Sequence, residues 1–412
     1  MPPASVALAP VLAQIHNEEV IDLAQRLVRI PSVFRPGEAG ANESAVARAI
    51  AEWFWEEGFT VETQEVAPGR PNVIGWIDGR RSGPTLCFAG HTDVVTEGDP
   101  GEWRHGPWSG VLEDGRIYGR GAADMKGGLA AAMVAVAAVR WSRVDFAGRL
   151  MVAALVDEEG AMTGARHFVR TPLGERVDAA IICEPEQNEL CLEQRGVVWV
   201  RVVVRGKMAH GAMPYAGLNP IPAAAAFVAG LLEVERRIRR GVPRSRYLGT
   251  ADVTATAVRA PASGMVQPNV IPSCAELCVD IRLVPGVRVP RVLAALQGLA
   301  RETEARWPGV VVAVEPLEPP RPATRVRRSE AVVRALQWAV ARVTGRPPRF
   351  GGVPGSTDGT IFVTERGIPI VTFGPGAREV PHQVDEYVEV SELVEATRCY
   401  AAAAVRFLDA VA

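Results

Sequence analysis

Lysine is nearly absent from this chain of 412 residues. Lys126 and Lys207 are its only lysines, so arginine supplies the rest of the 45 basic side chains, and 47 acidic side chains bring the net charge to −2. A sequence without a basic stretch and without an excess of one charge offers no patch for nucleic acid or for an anionic membrane surface. We therefore expect neither class of partner.

Cysteine is also scarce, and long apolar runs are missing. The six cysteines lack the Cys-x-x-Cys spacing of a zinc site, and Cys87 and Cys183 fall inside apolar runs, which indicates buried, reduced thiols in a cytoplasmic protein. The most apolar helix-like run, 129–139, is too short to span a bilayer. The N-terminal residues lack the charged and apolar segments of a signal peptide, so none is expected.

The chain is too long for one ordinary hydrophobic core, and its texture changes near residues 195 and 318. The outer parts carry short, continuous apolar runs, which are typical of strands buried on both faces of a mostly parallel sheet. The middle part has the pattern strand–helix–strand–strand–helix–strand. We predict an α/β domain formed by residues 1–194 and 319–412, with a ferredoxin-like α+β domain, 195–318, inserted into it.

Four apolar runs of the outer parts are followed by acidic or histidine side chains. His91 and Asp93 follow run 85–90, Glu158 and Glu159 follow run 150–156, Glu184 follows run 178–183, and His382 follows run 368–374. Each residue alone could belong to an ordinary solvated loop. Because open α/β sheets form their sites at the carboxyl ends of the strands, the repetition favours a common site.

Asp124 lies in a glycine-rich segment, 117–128, that leads into an alanine-rich helix. Gly119 and Gly121 have the spacing that begins a dinucleotide-binding loop, but Asp124 stands where the third glycine would be, and its charge would repel a pyrophosphate. An Asp at this place can simply cap the helix. The other interpretation is that Asp124 joins the strand-end residues.

These residues together amount to five carboxylates and two imidazoles. Such a group repels itself unless cations neutralise it. Two divalent ions that share a bridging carboxylate would do so, and mixed nitrogen and oxygen ligands suit zinc, with cobalt or manganese as alternatives. Asp93 lies two residues after His91, so the two side chains share a face of an extended chain, and the carboxylate could fix the tautomer of a metal-binding imidazole.

The motifs also stand in the order of a known family. The segments that carry the resemblance are 90–95 (GHTDVV), 119–128 (GRGAADMKGG), 157–160 (DEEG), 183–185 (CEP) and 381–382 (PH). They resemble the M20-type metallopeptidase and deacylase family, which includes acetylornithine deacetylase, succinyl-diaminopimelate desuccinylase, aminoacylase-1 and bacterial glutamate carboxypeptidase. The resemblance extends from about residue 21 to the end. It implies a zinc-peptidase-like catalytic domain and an inserted lid and dimerisation domain.

The resemblance implies a metal-binding role for five residues. His91 and Glu184 would hold one zinc ion. Glu159 and His382 would hold the second ion, and Asp124 would bridge the two. A hydroxide between the ions would be the nucleophile.

Three further residues would act without binding metal. Asp93 would hold His91 from behind, and Glu158 would take the proton of the bridging water and pass it to the leaving nitrogen. His210 of the partner subunit would donate to the tetrahedral oxyanion, which requires a homodimer formed through the inserted domain. The family commonly has Ser after this histidine, whereas this chain has Gly211. An ordinary loop histidine is the alternative for His210.

Substrate contacts are implied for four residues in matching segments. Asn269 lies in the segment 267–272, and Ser356 and Thr357 lie in a glycine-rich loop that could also be a simple turn. Arg282 is suited to a bidentate pair with a substrate carboxylate, although a surface arginine of a strand is the alternative.

The expected function is hydrolysis of the amide bond of an N-acyl amino acid. Glu184 favours the deacetylases and desuccinylases, because some peptidases of the family have Asp at the matching position. Cleavage of short peptides by an exopeptidase of the same family remains open, as does a non-catalytic metal-binding relative. The acyl group, the amino acid and the native metal are not determined by these motifs.

Overall fold

The computed structural model describes residues 4–410, which form two compact units. The first unit contains residues up to Leu192, the segment Val326–Val353 and the residues from Thr357 onward. The second contains Glu193–Arg325 with Pro354–Ser356. The predicted insertion, 195–318, lies inside the second unit, which begins two residues earlier and ends seven residues later. Residues 1–3 and 411–412 of the predicted catalytic domain lie outside the described residues.

The described residues alternate between short strands and helices. The strands are β1 (Thr60–Ala67), β2 (Arg70–Asp78), β3 (Arg81–His91), β4 (Val111–Glu113), β5 (Arg116–Tyr118), β6 (Ala147–Leu155), β7 (Ala179–Ile182), β8 (Leu190–Gln194), β9 (Gly196–Arg205), β10 (Ala209–His210), β11 (Asp252–Arg259), β12 (Val270–Ile271), β13 (Cys274–Leu283), β14 (Val311–Pro316), β15 (Thr324–Arg325), β16 (Phe350–Val353), β17 (Ile370–Thr372) and β18 (Tyr387–Glu389). The α-helices are α1 (Ala4–Leu12), α2 (Asn17–Val28), α3 (Ser44–Glu56), α4 (Gly127–Trp141), α5 (Thr163–Phe168), α6 (Ile221–Arg239), α7 (Val289–Arg306), α8 (Ala331–Thr344), α9 (Gly359–Arg366) and α10 (Val390–Ala410).

The main sheet of the first unit has the strand order β1-β2-β6-β3-β7-β17-β8, and β16 pairs with β8. Its four middle strands, β6, β3, β7 and β17, are parallel, as predicted, whereas β1, β2 and β8 pair antiparallel, so the sheet is mixed. His91 pairs with Leu155, and Ile182 pairs with both Ala89 and Thr372. The carboxyl ends of the four parallel strands therefore meet at one edge.

Helices cover both faces of this sheet. Along β3, Leu86 and Phe88 belong to a core shared with α4 and α10, whereas Cys87 and Ala89 belong to a second core with Phe168 of α5. These four residues of β3 are at most 1% exposed. A strand buried on both faces has no polar side, which explains why its sequence is a continuous apolar run.

Helix α4 is a long apolar helix of the first unit. The stretch Ala122–Trp141, which includes α4, is long and apolar enough to cross a membrane, but 94% of it is buried inside the protein. Its side chains pack in the core beneath the sheet, together with those of α2 and α10. It is therefore the central core helix of this unit.

The second unit has a four-stranded antiparallel sheet in the order β11-β13-β9-β14. Side chains alternate along β13, so that Leu277, Val279 and Ile281 are buried. They pack with Phe227 of α6 and Leu296 of α7 in a separate core. The order β9-α6-β11-β13-α7-β14 is the one predicted from the sequence, with the two-residue strands β10 and β12 added.

Gly128 allows the N-terminus of α4 to lie against β7. A Cβ atom on Gly128 would come 2.0 Å from the main-chain oxygen of Cys183. We predict that Gly128→Ala lowers the free energy of unfolding by about 1–3 kcal/mol, because the backbone must shift to relieve the contact. Gly298→Ala in α7 is the matched control, since its Cβ would meet nothing closer than 3.7 Å. That variant should gain about 0.5–1 kcal/mol from helix propensity. Equal denaturation midpoints for the two variants would contradict the prediction.

Candidate active site

The predicted strand-end residues converge at the carboxyl edge of the parallel strands. His91 is the last residue of β3, Glu158 and Glu159 follow β6, and Glu184 follows β7. Potential ligand atoms of His91, Asp124 and Glu159 lie within 4.8 Å of one another, and so do those of His91, Glu158 and Glu184. The register of the strands thus brings together residues that are far apart in the sequence.

Asp124 lies between the two histidines. Its Oδ1 atom is 2.9 Å from Nε2 of His91, and its Oδ2 atom is 3.4 Å from Nε2 of His382. The helical geometry is interrupted at Asp124, with φ −119° and ψ 95°, directly before α4 begins. Each oxygen of the carboxylate consequently faces a different imidazole, which is the geometry of a bridging ligand.

A second carboxylate accompanies each histidine. Oε1 of Glu184 lies 3.8 Å from Nε2 of His91, and Oε1 of Glu159 lies 3.1 Å from Nε2 of His382. Each half of the cluster offers an imidazole nitrogen, a terminal carboxylate and one oxygen of Asp124. This donor set fits divalent cations that accept mixed nitrogen and oxygen ligands.

Two glutamates of the cluster, Glu158 and Glu184, are held in an environment that opposes their ionisation. Burial raises the pKa of Glu184 well above its usual range, and the charge of Asp124 raises it further. Burial likewise raises the pKa of Glu158, and the adjacent Glu159 adds to the effect. Hydrogen bonds with Asp124 and Glu159 raise the pKa of His382 to about 10. The cluster therefore retains protons, which stand in for the positive charge that cations would supply.

The position of Asp93 differs from the prediction. Nδ1 of His91 contacts the main-chain oxygen of Asp93 at 2.9 Å, whereas the Asp93 carboxylate lies 3.8 Å from it. The carboxylate instead accepts the N–H groups of Glu158 at 3.2 Å and Glu159 at 3.0 Å. With the Nδ1 proton donated to the main chain, Nε2 of His91 is left to face Asp124. The Asp93 carboxylate thus supports the loop after β6 while it stays within ion-pair distance of His91.

Glu386 is a residue of the site that the sequence reasoning missed. Its Oε1 atom accepts the N–H groups of Ala123 and Asp124, both at 3.0 Å, and its Oε2 atom accepts a hydrogen bond from Arg120 at 2.5 Å. Glu386 is fully buried, and burial raises its pKa to about 7. It fixes the main chain at the interruption before α4. No apolar strand precedes it directly, so the strand-end pattern could not identify it.

The second unit contains four predicted residues, which are His210, Asn269, Arg282 and Ser356. His210 is exposed in β10, and its Nδ1 atom accepts the N–H of Ala212 at 3.0 Å. The neutral ring consequently carries its proton on Nε2. The main-chain oxygen of Asn269 accepts the N–H of Gly211 at 2.7 Å, which joins β10 to the segment before β12.

Arg282, also of the second unit, lies on the half-exposed face of β13. Its Nε atom is 2.9 Å from Oδ1 and 3.1 Å from Oδ2 of Asp280. A substrate carboxylate would therefore have to share the guanidinium with Asp280.

The two predicted residues of the glycine-rich loop differ in exposure. Thr357 is buried in the first unit, where its Oγ1 atom accepts the N–H of Gly359 at 3.2 Å at the start of α9. Ser356 is half-buried and groups with the second unit. At least the Thr357 hydroxyl thus has a structural function in the turn.

Comparisons of sequence support the same set of motifs. The sequence pattern described as peptidase family M20/M25/M40 matches residues 87–406. A succinyl-diaminopimelate desuccinylase of Methylobacterium radiotolerans is 32% identical over 408 residues, which cover 95% of this chain and 97% of the relative. A protein of the same name from Granulibacter bethesdensis is 33% identical over 398 residues, covering 92% and 96%.

Solved structures with the same fold are more distant in sequence. The dipeptidase Dug1p of Saccharomyces cerevisiae has a TM-score of 0.76 at 16% identity, with 98% of both chains covered. A metallo-carboxypeptidase of Sulfolobus solfataricus has a TM-score of 0.76 at 18% identity, covering 95% of this chain and 99% of that one. The YXEP protein of Bacillus subtilis, described as a dinuclear metal-binding peptidase, has a TM-score of 0.68 at 20% identity, covering 95% and 98%.

The raised pKa of His382 leads to a prediction about metal binding. Since the pKa of His382 is raised to about 10, this imidazole is protonated at neutral pH until a cation displaces the proton. We expect binding of zinc or cobalt to release protons and to become tighter as the pH rises from 6 to 8. Isothermal titration calorimetry in buffers of different ionisation enthalpy measures the released protons. Buffer-independent heats, with an affinity that does not change with pH, would contradict the prediction.

Proposed function

The chain belongs to peptidase family M20/M25/M40, whose members hydrolyse amide bonds, and from this premise we propose that it removes the acyl group of an N-acylated amino acid. An N-succinyl group is the first candidate, because relatives that match nearly the whole chain carry the name succinyl-diaminopimelate desuccinylase. Glu184 supports a deacylase from the sequence side. The peptidases among the structural neighbours are below 25% identity and support the fold alone.

The proposed cofactors are two divalent cations, with zinc first and cobalt or manganese as alternatives. His91 and Glu184 would hold one, His382 and Glu159 the other, and Asp124 would supply one oxygen to each. The distances of 2.9 and 3.4 Å from the two Asp124 oxygens to the two imidazoles support this assignment. When bound, the cations would neutralise the carboxylates, polarise the scissile carbonyl and make a water molecule more acidic.

The position of Glu158 is the observation that carries the proposal. Its carboxylate is buried and lies within 4.8 Å of ligand atoms of His91 and Glu184. The main-chain N–H of Glu158 donates to the Asp93 carboxylate, which holds the residue in place. Burial raises its pKa, so it can keep a proton during the reaction. In the proposed mechanism Glu158 removes a proton from the attacking water and then donates it to the leaving nitrogen.

His210 is proposed to complete the site from a second copy of the chain. Its neutral form carries the proton on Nε2, the atom that would donate to the oxyanion. Large apolar side chains are exposed in the segments next to the paired strands β10 and β12. They are Met208, Met213, Tyr215, Met265 and Val266. Strand β11 is also an open edge of its sheet. These surfaces support a homodimer formed through the second unit.

We also propose a cytoplasmic location. All six cysteines are free, and four of them are buried. Burial raises the pKa of the Cys87 thiol above its usual range, which makes it unreactive. Unpaired thiols of this kind are typical of a reducing compartment.

The substrate class is tested with a panel of amides. We expect the zinc-loaded protein to release amine from N-succinyl or N-acetyl amino acids, and a chelator to abolish the release. Simple dipeptides and N-formyl amino acids complete the panel, and free amine is measured with a chromogenic reagent. Cleavage of dipeptides alone would replace the deacylase with an exopeptidase. No cleavage of any member by the metal-loaded protein would overturn the proposed function.

The role of Glu158 is tested by contrast with its neighbour. Glu158→Gln should lower kcat by about 10²–10⁴-fold, because the variant cannot transfer the proton, and should leave the metal content unchanged. Glu159→Gln should instead lower the metal content, since Glu159 is a proposed ligand. Metal content is measured by plasma mass spectrometry and kcat by amine release. Near-normal kcat in Glu158→Gln would remove its assigned role.

The origin of His210 is tested by mixing two inactive variants. If His210 acts across the dimer, a heterodimer of His210→Ala and Glu158→Gln has one complete site, formed by Glu158 of one chain and His210 of the other. Unfolding and refolding an equal mixture should restore about a quarter of the wild-type activity, because about half of the dimers are mixed and each has one active site. Each variant refolded alone is the control. A mixture that remains inactive would mean that His210 does not act across the dimer.

A further inference from the structure

The loop after β6 is tied to the start of β2 by a buried arginine. Nη1 of Arg70 lies 2.9 Å from Oδ1 of Asp157, the residue directly before Glu158. Oδ2 of Asp157 accepts a hydrogen bond from the hydroxyl of Thr163 at 2.7 Å and from its N–H at 3.3 Å. Asp157 has a left-handed backbone, with φ 69°. The Asp157 side chain therefore closes the loop 157–163 on itself and fastens it to Arg70.

Arg70 is itself held in one orientation. Its Nε atom lies 2.9 Å from Oε2 of Glu43, and its Nη2 atom lies 2.5 Å from Oε1 of the same residue. The guanidinium also lies 3.6 Å from the centroid of the Phe34 ring. The side chains of Arg70 and Glu43 are 9% and 0% exposed. A guanidinium fixed by a bidentate pair and an aromatic face has little freedom, so Asp157 is held at a defined position.

Asn72, two residues along the same strand, closes the base of the loop. Its Oδ1 atom accepts the N–H of Val156 at 3.1 Å, and its Nδ2 atom donates to the main-chain oxygen of Gly164 at 3.0 Å. Asn72 is fully buried. The start of β2 thus contacts the residues on either side of the loop, Val156 and Gly164, and, through Arg70, Asp157 within it.

Glu158 lies between two anchors as a result. On one side Arg70 holds Asp157, and on the other side the Asp93 carboxylate accepts the N–H groups of Glu158 and Glu159. If the Arg70 contact is lost, Asp157 retains a strained left-handed backbone without the charge that holds it. The peptide that precedes Glu158 can then rotate, and the Glu158 carboxylate moves with it.

We propose that Arg70 is a positioning residue that sets the Glu158 carboxylate through its ion pair with Asp157. The proposal rests on the function proposed above, since it assigns Glu158 the proton transfer. It distinguishes Arg70 from Glu43, which stabilises the same buried ion pair network but does not contact the loop.

The kinetic test compares Arg70→Gln with Glu43→Gln. Both variants break the Arg70–Glu43 pair, and both should lower the melting temperature. Arg70→Gln should also lower kcat by about 10–100-fold with little change in KM, as substitutions behind a catalytic group do. Glu43→Gln should keep a kcat near that of the wild type, because its amide oxygen can still accept a hydrogen bond from Arg70, and the Phe34 ring and Asp157 still hold the guanidinium. A loss of kcat that is equal in the two variants would mean that Arg70 has a structural role alone, and the proposal would be overturned.

A second readout does not depend on activity. Hydrogen exchange, followed by mass spectrometry on peptides that cover residues 156–164, reports the opening of the loop in the metal-loaded protein. We expect faster exchange in Arg70→Gln and exchange like the wild type in Glu43→Gln. If the wild type hydrolyses no amide, the proposed function fails, but the exchange data still decide whether Arg70 holds the loop. Unchanged exchange in Arg70→Gln overturns the proposal.

Arg70→Lys serves if Arg70→Gln does not fold. Lysine keeps the charge beside Asp157 but cannot form the planar bidentate pair with Glu43. The expected result is a smaller loss of kcat than in Arg70→Gln, with partial protection of the loop 157–163. Wild-type kcat together with faster exchange in this variant would separate loop order from the chemistry and would overturn the proposal.

Discussion

Repulsion among buried carboxylates is the constraint on which the rest of the site depends. Glu158, Glu159 and Glu184 have raised pKa values because burial and one another's charges oppose ionisation. Asp124 is the exception: although burial alone would raise its pKa, hydrogen bonds with His382 and His91 hold it below the usual range. Such a cluster costs stability unless positive charge enters it. The fold therefore has to fix these side chains at close range, and the neighbouring residues serve that end.

The sequence predicts the clustering of the proposed metal ligands because the placement of several of them follows from the strand pattern. A strand buried on both faces is a continuous apolar run, and the first polar side chain after it lies at the sheet edge. When neighbouring strands are parallel, as β6, β3 and β7 are, these edges coincide. His91 and Glu184 could be identified in this way without knowing any distance, whereas Asp157 precedes Glu158 and Glu159 after β6. None of the predicted site residues lies in the antiparallel strands β1, β2 and β8. The sequence did not indicate that these strands are antiparallel.

The supporting residues could not be predicted in the same way, because they act over long sequence separations and from no common pattern. Glu386 is 262 residues from the Asp124 N–H that it accepts. Arg70 and Asn72 lie in β2, and their role depends on β2 lying beside β6. For Asp93 the spacing predicted the proximity to His91 but not the contacts with the loop. Its side chain faces the loop after β6, since two N–H groups there need an acceptor and His91 is satisfied by the main-chain oxygen.

The division of the chain into two units explains why the chemistry is easier to infer than the substrate. The first unit contains the acidic cluster and the proposed base, which act on the amide group common to all candidate substrates. Of the four residues predicted to contact the rest of the substrate, Asn269, Arg282 and Ser356 belong to the second unit, and only Thr357 belongs to the first. A succinyl carboxylate would need a positively charged partner in addition to the charges that neutralise the cluster. Arg282 is the positively charged side chain that the sequence predicts for this contact, and its guanidinium already contacts Asp280.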